Sequence, residues 1–232
     1  MTNTSFKNSN GLDEEGHFSS ARDVAIMSTE LLKHPKITEY TTIWTDSLRD
    51  GKFELANTNK LVRFYSGATG LKTGSTSKAG CCLSASATRE GMSLVAVVLG
   101  AENTKTRFSG ASGLLNYGFS GFAVKKYVDK GEPVGTVTVS KGKEKQVGVE
   151  AAEDYNVLVQ KSNMVEAERE VRFPDRISAP VKKGDIVGEI CFTCDGNTIK
   201  TVDIIASEDV EKKSFIMIFV DLIYNWITAR NI

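Results

Sequence analysis

The chain lacks an excess of charge of either sign. Its 232 residues include 29 Lys and Arg and 29 Asp and Glu, so the formal net charge is zero. No basic block occurs, and a balanced charge provides no electrostatic attraction toward a phosphate backbone. We therefore expect no nucleic-acid partner. The length and the composition indicate a globular protein of one large or two modest domains.

Cysteine and histidine are also scarce, which limits metal and redox chemistry. The four cysteines form two close pairs, Cys81-Cys82 and Cys191-Phe192-Thr193-Cys194. If these runs are strands, residues one or three apart point to opposite faces of the sheet, so neither pair converges on one point. The two histidines, His17 and His34, lack ligand spacing to either pair. We predict no metal and no cofactor.

The first residues, Met1 to Asn8, lack the apolar core that a secretory signal needs. Two interpretations stay open on this evidence. Either the protein is cytoplasmic, or its true start lies upstream of Met1.

What the chain does contain is the run Gly70-Leu71-Lys72-Thr73-Gly74, at the head of two apolar, β-branched runs, Cys81 to Thr88 and Met92 to Leu99. A strand that begins Lys-Thr-Gly at a sheet edge would offer a cation, a hydroxyl and unpaired backbone groups to an extended peptide ending in a carboxylate. Because Gly74 has no Cβ, a peptide backbone could approach and pair with that strand. On the local residues alone, an ordinary surface turn is the favoured interpretation.

Helices are predicted on both sides of these strands. Ser20 can cap a helix that has Asp23 in its first turn and ends before Pro35. A second helix is predicted over Asn103 to Phe122, despite Gly110, Gly113 and Gly118, and it should pack on the sheet. Strands with a helix before and after indicate an α/β layer that is only partly present in this chain.

From about Val124 the pattern changes to short β-type runs separated by charged or glycine turns, which predicts a second, all-β domain. Asp195-Gly196 and Lys183-Gly184-Asp185 are interpreted as hairpin turns. Nothing in this part is predicted to be catalytic. The expected strands are Val134 to Val139, Gln146 to Glu150, Asn156 to Val159, Val165 to Phe173, Ile186 to Thr193 and Thr198 to Ile205.

The segment Lys212 to Ile232 is predicted to be a strongly amphipathic helix. Its apolar run is shorter than the ~20 residues needed to span a bilayer and contains Asp221, so it should lie on a membrane rather than cross it. The alternative is a C-terminal helix docked on the protein's own core. The predicted membrane-facing residues are Phe215, Ile216, Phe219, Val220, Leu222, Ile223, Trp226 and Ile227.

Several motifs together give the chain a family resemblance. They are Gly11-Leu12-Asp13, Gly16-His17-Phe18-Ser19-Ser20-Ala21-Arg22-Asp23, Gly70 to Gly74 with Lys78-Ala79-Gly80, and Ser84-Ala85-Ser86-Ala87-Thr88. With the trailing β domain and the terminal helix, the chain resembles the low-molecular-mass penicillin-binding proteins, the serine D-alanyl-D-alanine carboxypeptidases. The resemblance spans nearly the whole chain.

In that family three motifs share the site: Ser-x-x-Lys, Ser-x-Asn and Lys-Thr-Gly. Ser-x-Asn does not occur in this sequence, and Ser-x-x-Lys occurs only at Ser75 to Lys78 and Ser140 to Lys143. Neither match has a helical setting, which the lysine needs to reach the serine hydroxyl, so we interpret both as accidental. The resemblance implies that the nucleophile and the signal peptide lie upstream of Met1 and that the chain alone is inactive.

The resemblance also implies roles for single residues. Lys72 would bind substrate and hold the serine network, and Thr73 would hydrogen-bond the terminal carboxylate of D-Ala-D-Ala. Gly74 would leave room for the substrate backbone. The backbone N–H of Ser75 would form half of an oxyanion hole. Arg107 matches a family arginine at the cleft and would add positive charge for the carboxylate.

The implied fold is α+β. It consists of the C-terminal portion of a transpeptidase-like α/β domain over residues 1–122, a small all-β domain over residues 123–210 and an amphipathic anchor helix over residues 211–232. The implied partners are peptidoglycan stem peptides ending in D-Ala-D-Ala, β-lactam antibiotics for the complete enzyme, and a membrane surface. The implied location is the extracytoplasmic face of the cell membrane.

Two competing functions are kept. One is a noncatalytic membrane-surface module that binds cell-wall peptide or a partner. The other is a β-lactamase fragment, which shares Lys-Thr-Gly but leaves the β domain and the terminal helix unexplained.

Overall fold

The structure is a computed structural model that describes residues 1–163, 166–220 and 223. The chain divides into two compact units, residues 1–124 with 160–162, and residues 125–159 with 163–232. The first unit is mixed α/β, and the second is built from β-strands. This agrees with the α+β class predicted from the sequence.

The first unit contains a three-stranded antiparallel sheet in the order β3-β4-β5, so β3 is an edge strand. A separate hairpin, β1-β2, precedes it. The elements are α1 (Ala21–Leu31), α2 (Lys36–Thr41), β1 (Thr45–Leu48), β2 (Phe53–Ala56), α3 (Leu61–Phe64), β3 (Ala68–Thr76), β4 (Gly80–Arg89), β5 (Met92–Ala101) and α4 (Thr104–Gly121).

Helix α4 covers one face of this sheet. Its N-cap is Asn103, whose side chain accepts a hydrogen bond from the Thr106 N–H. The helix buries one side against alternate residues of β4 and β5, as strand geometry requires. The buried cluster contains Leu83, Ala85, Ala87, Met92, Ala96, Ala111, Leu115 and Phe119. The predicted helix and its packing on the sheet are therefore confirmed.

Helix α1 lies on the opposite face, because it contacts Ser84, whose neighbours Leu83 and Ala85 face α4. The Ser28 and Ser84 hydroxyls are 2.7 Å apart in this buried contact. Ser20 caps the helix as predicted, accepting a hydrogen bond from the Asp23 N–H. Leu31, in the last turn of α1, is exposed.

The second unit is organised around a six-stranded sheet in the order β10-β12-β13-β8-β7-β11, with β6 and β9 paired separately. Only the β11–β7 pair in this sheet is parallel. The strands are β6 (Phe122–Val128), β7 (Pro133–Ser140), β8 (Gln146–Ala151), β9 (Tyr155–Gln160), β10 (Glu168–Arg172), β11 (Arg176–Ser178), β12 (Ile186–Cys194) and β13 (Asn197–Ala206), with one 3-10 turn, Lys161–Asn163.

Each strand predicted for the second unit is present, and β6 and β11 are additional. Asp195-Gly196 joins β12 to β13 as a hairpin, as predicted. Lys183-Gly184-Asp185 is a turn but not a hairpin, because β11 and β12 are not neighbours in the sheet. Instead, the Gly184 N–H donates to the Ala206 carbonyl. Val165, the predicted start of β10, lies outside the described residues.

The second unit has its own apolar core of valines, isoleucines and alanines around Phe192. Tyr127 and Tyr155 contact the Phe192 ring at centroid distances of 5.5 and 4.9 Å. Charged residues lie at its surface, for example Arg169 and Glu132, which form a 2.8 Å ion pair. An ion pair of this kind is worth about 1 kcal/mol or less, so the core dominates stability.

The predicted C-terminal helix is described only in part. Residues 215–220 are helical, and Phe215, Ile216, Phe219, Val220 and Ile223 are exposed. The predicted membrane-facing residues Leu222, Trp226 and Ile227 lie outside the described residues. Within the part of the chain that the structure describes, no helix is long and apolar enough to cross a membrane.

Asp23 joins the first residues to α1 through hydrogen bonds to its carboxylate. Its side chain is 3% exposed and accepts hydrogen bonds from the Thr4 hydroxyl at 2.7 Å and the Asn3 N–H at 2.8 Å. These donors hold the pKa of Asp23 below its ordinary value of 3.8, and the Thr4 hydroxyl has the largest effect.

We expect Asp23→Asn to destabilise the first unit above about pH 4 and to have no effect in stronger acid. A carboxyl with a lowered folded pKa stabilises the fold above its unfolded pKa, and this contribution disappears as pH falls through the folded pKa. Urea midpoints of both proteins, measured across this range, should converge at low pH. A constant difference at all pH values would contradict the assignment to Asp23.

Candidate active site

The Lys-Thr-Gly tripeptide lies within β3 rather than at its head. Strand β3 begins at Ala68, and Lys72, Thr73 and Gly74 pair with Ser84, Leu83 and Cys82 of β4. The expectation that the strand begins at Lys72 was therefore wrong, because β3 begins at Ala68. The expected position at the edge of the sheet was right. Because β3 is an edge strand, its far side has no partner strand in the sheet, which leaves room for an added strand.

The side chains of Lys72 and Thr73 point to opposite faces of the strand. Lys72 is exposed, and its ammonium donates to the carbonyl of Thr73. Thr73 is 7% exposed, and its hydroxyl oxygen is 2.6 Å from that of Thr58. One residue therefore presents a charge to solvent, and the other holds a hydroxyl at a partly buried position.

Gly74 and Gly70 occupy different environments on the same strand. A Cβ built on Gly74 meets no atom within 4 Å, so the surface beside it is open. At Gly70 the backbone φ is +141°, and a Cβ would lie 2.7 Å from Cβ and Oγ1 of Thr41. Gly74 is thus free for approach by another chain, whereas Gly70 is a packing position.

Arg107 reaches β3 from α4. Its Nη1 donates to the carbonyls of Gly74 and Cys82, both at 3.3 Å. The side chain is 6% exposed, and its buried Nε has no hydrogen-bond partner among the described residues. A buried donor without a partner is costly, so this guanidinium has unused capacity for an acceptor.

The C-terminal end of β3 is fastened by Asp13. The Thr76 hydroxyl donates to Asp13 Oδ1 at 2.6 Å and accepts from the Ala79 N–H at 3.0 Å. Asp13 belongs to the quoted Gly11-Leu12-Asp13 run, but sequence reasoning assigned it no role. Its contact positions Ser75, the residue before Thr76, at the end of the strand.

A groove of about 570 Å³ runs beside this end of β3. We call it the β3 groove and define it by Leu12, Phe18 and Leu99 on its apolar side and Gly74 and Ser75 on the strand. Cys82 also lines it, and Cys81, Cys82, Cys191 and Cys194 are free thiols. The groove is thus lined by both apolar side chains and the end of the motif strand.

The two Ser-x-x-Lys matches are not helical. Ser75 to Lys78 runs from the end of β3 into a turn, and Ser140 to Lys143 runs from the end of β7 into a turn. In neither match does a helical turn bring the lysine over the serine, so their interpretation as accidental is supported. The site therefore has a cation, a hydroxyl and an open strand edge, without a serine–lysine pair.

Known proteins are similar to this chain in sequence and in fold. Residues 1–103 match the family model described as D-alanyl-D-alanine carboxypeptidase, and residues 122–212 match the model described as penicillin-binding protein 5, C-terminal domain. Penicillin-binding protein 5 of Haemophilus influenzae aligns over 90% of this chain and 61% of its own, with a TM-score of 0.59 and 29% identity. The fold and the edge-strand motif thus define a penicillin-binding protein with a transpeptidase-like unit.

Two curated relatives identify the family more closely. The D-alanyl-D-alanine carboxypeptidase DacF of Bacillus subtilis is 40% identical over 230 residues, which are 97% of this chain and 59% of DacF. DacC of Escherichia coli is 33% identical over 217 residues, 93% of this chain and 54% of DacC. The chain belongs to the D-alanyl-D-alanine carboxypeptidase family of low-molecular-mass penicillin-binding proteins. It spans little more than half the length of these curated relatives.

The two glycines of β3 provide a matched test of the site geometry. We expect Gly70→Ala to destabilise the first unit by about 1–3 kcal/mol, because the new methyl group overlaps Thr41 and the backbone is strained. Gly74→Ala should change the free energy of unfolding by less than about 0.5 kcal/mol, since its methyl group enters open space. Urea unfolding of both variants measures this, and equal losses would contradict the open environment of Gly74.

Proposed function

We propose that the chain provides the Lys-Thr-Gly wall of a serine D-alanyl-D-alanine carboxypeptidase site. The reaction removes the terminal D-alanine from peptidoglycan stem peptides through an acyl-serine intermediate, which water then hydrolyses. The observation that supports this most is the open edge of β3, where Gly74 leaves space for a peptide backbone beside the Lys72 charge and the Thr73 hydroxyl. Family membership of the chain supports the same reaction.

Each predicted site residue has a proposed role. Lys72 binds substrate and orders the serine network, and Thr73 donates to the substrate carboxylate. The backbone N–H of Ser75 contributes half of the oxyanion hole, at a strand end held by the Asp13–Thr76 contact. Arg107 adds positive charge behind the strand, and its unpartnered Nε supports a role toward an anion.

The proposed substrate is a peptide ending in D-Ala-D-Ala, and β-lactam antibiotics are proposed ligands of the complete enzyme. The nucleophilic serine is proposed to lie outside these 232 residues, since no Ser-x-x-Lys in them has a helical setting. Residues 1–122 would form the partial peptidase domain, residues 123–210 the β domain and residues 211–232 the anchor.

The runner-up is a noncatalytic module that binds cell-wall peptide or a partner at a membrane surface. It is favoured by the lack of a serine–lysine pair, and it predicts the same β3 contacts without acyl transfer. A β-lactamase fragment is disfavoured, because residues 122–212 match a penicillin-binding protein 5 domain.

We expect N-acetyl-D-alanyl-D-alanine at millimolar concentration to shift the amide signals of Lys72 and Thr73 in an NMR titration of the isotope-labelled chain. The peptide would add a strand to the edge of β3 and place its carboxylate at these residues. Gly74→Ala should weaken the binding, because its methyl group occupies the approach path. Absence of any shift on β3 at this concentration would reject the proposed wall.

A labelled penicillin separates the two candidate functions. The chain alone should form no covalent adduct detectable by mass spectrometry, since the proposed nucleophile is outside it. The 232-residue chain joined to the serine-bearing segment of a relative such as DacF should be acylated under the carboxypeptidase proposal and not under the runner-up. Acylation of the unmodified chain would contradict the proposed absence of the nucleophile and would make Ser75 the candidate.

We also propose that the C-terminal segment places the protein on the extracytoplasmic face of the cell membrane. Phe215 is 81% exposed and Ile216 is 74% exposed, and both follow the cations Lys212 and Lys213. Exposed apolar side chains beside lysines suit a membrane interface with anionic lipids.

Deletion of residues 214–232 should abolish binding to vesicles that contain phosphatidylglycerol, measured by co-sedimentation. Ile216→Asp should weaken binding, because it introduces a charge into the apolar face, while Ile199→Asp is a control at an exposed residue of β13. Undiminished binding after the deletion would contradict the membrane proposal and favour a helix docked on the protein's own core.

A further inference from the structure

The Thr73 hydroxyl has a neighbour that the known motif does not include. Thr58 is an exposed residue between β2 and α3, and its Oγ1 lies 2.6 Å from Oγ1 of Thr73. This is a short hydroxyl–hydroxyl hydrogen bond between residues 15 positions apart in the chain. Thr73 is 7% exposed and Thr58 is exposed, so the contact joins a buried hydroxyl to one at the surface.

Two asparagines hold Thr58 in place. The Asn59 N–H donates to Asn57 Oδ1 at 2.9 Å, and the Leu61 N–H donates to Asn59 Oδ1 at 3.2 Å, which makes two successive Asx turns. The Asn57 Nδ2 donates to the Ile43 carbonyl at 2.9 Å. The backbone is therefore held by hydrogen bonds on both sides of Thr58, and these contacts position the Thr58 side chain.

The direction of this hydrogen bond decides whether Thr73 can bind an anion. A threonine hydroxyl has one proton and two acceptor lone pairs. If Thr73 donated to Thr58, its only proton would be used and its oxygen would face a carboxylate with lone pairs alone. If Thr58 donates, the Thr73 proton remains for the carboxylate, and accepting a bond makes that hydroxyl a better donor.

We propose that Thr58 is a positioning residue that donates to Thr73 and thereby directs the Thr73 proton toward the terminal carboxylate of the substrate. This inference rests on the proposed function, because it assigns Thr73 to that carboxylate. Thr58 acts through Thr73 and does not itself touch the reacting atoms. Its loss should weaken recognition of the carboxylate and leave recognition of the peptide backbone unchanged.

The test compares Thr58→Val, Thr58→Ser and the control Thr29→Val in the full 232-residue chain. Valine keeps the shape of threonine and removes the hydroxyl, while serine keeps the hydroxyl. Thr29 is a matched exposed threonine on α1, whose hydroxyl donates only to the Ala25 carbonyl of its own helix. The probes are N-acetyl-D-alanyl-D-alanine and its C-terminal amide, titrated by NMR.

We expect Thr58→Val to weaken binding of the acid about five- to tenfold, the size expected for one hydrogen bond between neutral groups, and to leave the amide within about twofold. Thr58→Ser should restore the acid affinity, and Thr29→Val should match the unsubstituted chain. Equal losses for acid and amide would mean that Thr58 is only structural and would overturn the proposal. Failure of Thr58→Ser to restore binding would do the same.

Two further measurements separate this inference from the proposed function. If Thr73→Val removes the preference for the acid and Thr58→Val does not, the function stands and the inference is wrong. If neither probe binds the unsubstituted chain, the proposed function fails, and three-bond couplings that report χ1 of Thr73 decide the positioning role. One rotamer in the unsubstituted chain and averaging in Thr58→Val would support it, and one rotamer in both would overturn it.

Discussion

The position of β3 at the edge of its sheet is the constraint on which the site depends. One side of the strand pairs with β4, and the other has no partner strand in the sheet. An edge strand normally carries a risk of unwanted pairing, which proteins reduce with charge or by covering the edge. Here the edge carries the Lys72 charge and the uncovered Gly74, and under the proposed function it pairs with the substrate peptide.

An edge strand with an open side must be held in place by contacts elsewhere along its length. Three contacts do this in the first unit. Arg107 binds the Gly74 carbonyl from α4, Asp13 binds the Thr76 hydroxyl at the strand's end, and Thr58 meets Thr73 near its middle. Each contact comes from a different element, so the strand is braced along its length without being covered.

The second unit has a separate core, centred on Phe192 and its tyrosine neighbours, and takes no part in these contacts. Its valine-rich strands bury alternate side chains, and its charges form surface ion pairs of small energetic value. The match of residues 122–212 to the penicillin-binding protein 5 C-terminal domain agrees with this independence.

The sequence by itself determined β4, β5, most strands of the second unit, the two main helices and the motif. Local patterns carry this information: β-branched runs at Cys81 to Thr88 and Met92 to Leu99, and caps at Ser20 and Asn103, which need no distant partner. It also indicated α+β class through the change of pattern near Val124. The Asn-x-Asn spacing of Asn57 and Asn59 was the local signal available for the turns that hold Thr58.

Only the tertiary structure decided which residues meet around β3. The contacts of Thr73 with Thr58, Gly74 with Arg107 and Thr76 with Asp13 join residues 15, 33 and 63 positions apart. Such pairings follow from how helices and strands stack, and no local periodicity encodes them. The hairpin expected at Lys183-Gly184-Asp185 was wrong for the same reason. Turn residues specify that the chain changes direction, but the order of strands in the sheet decides which strands pair.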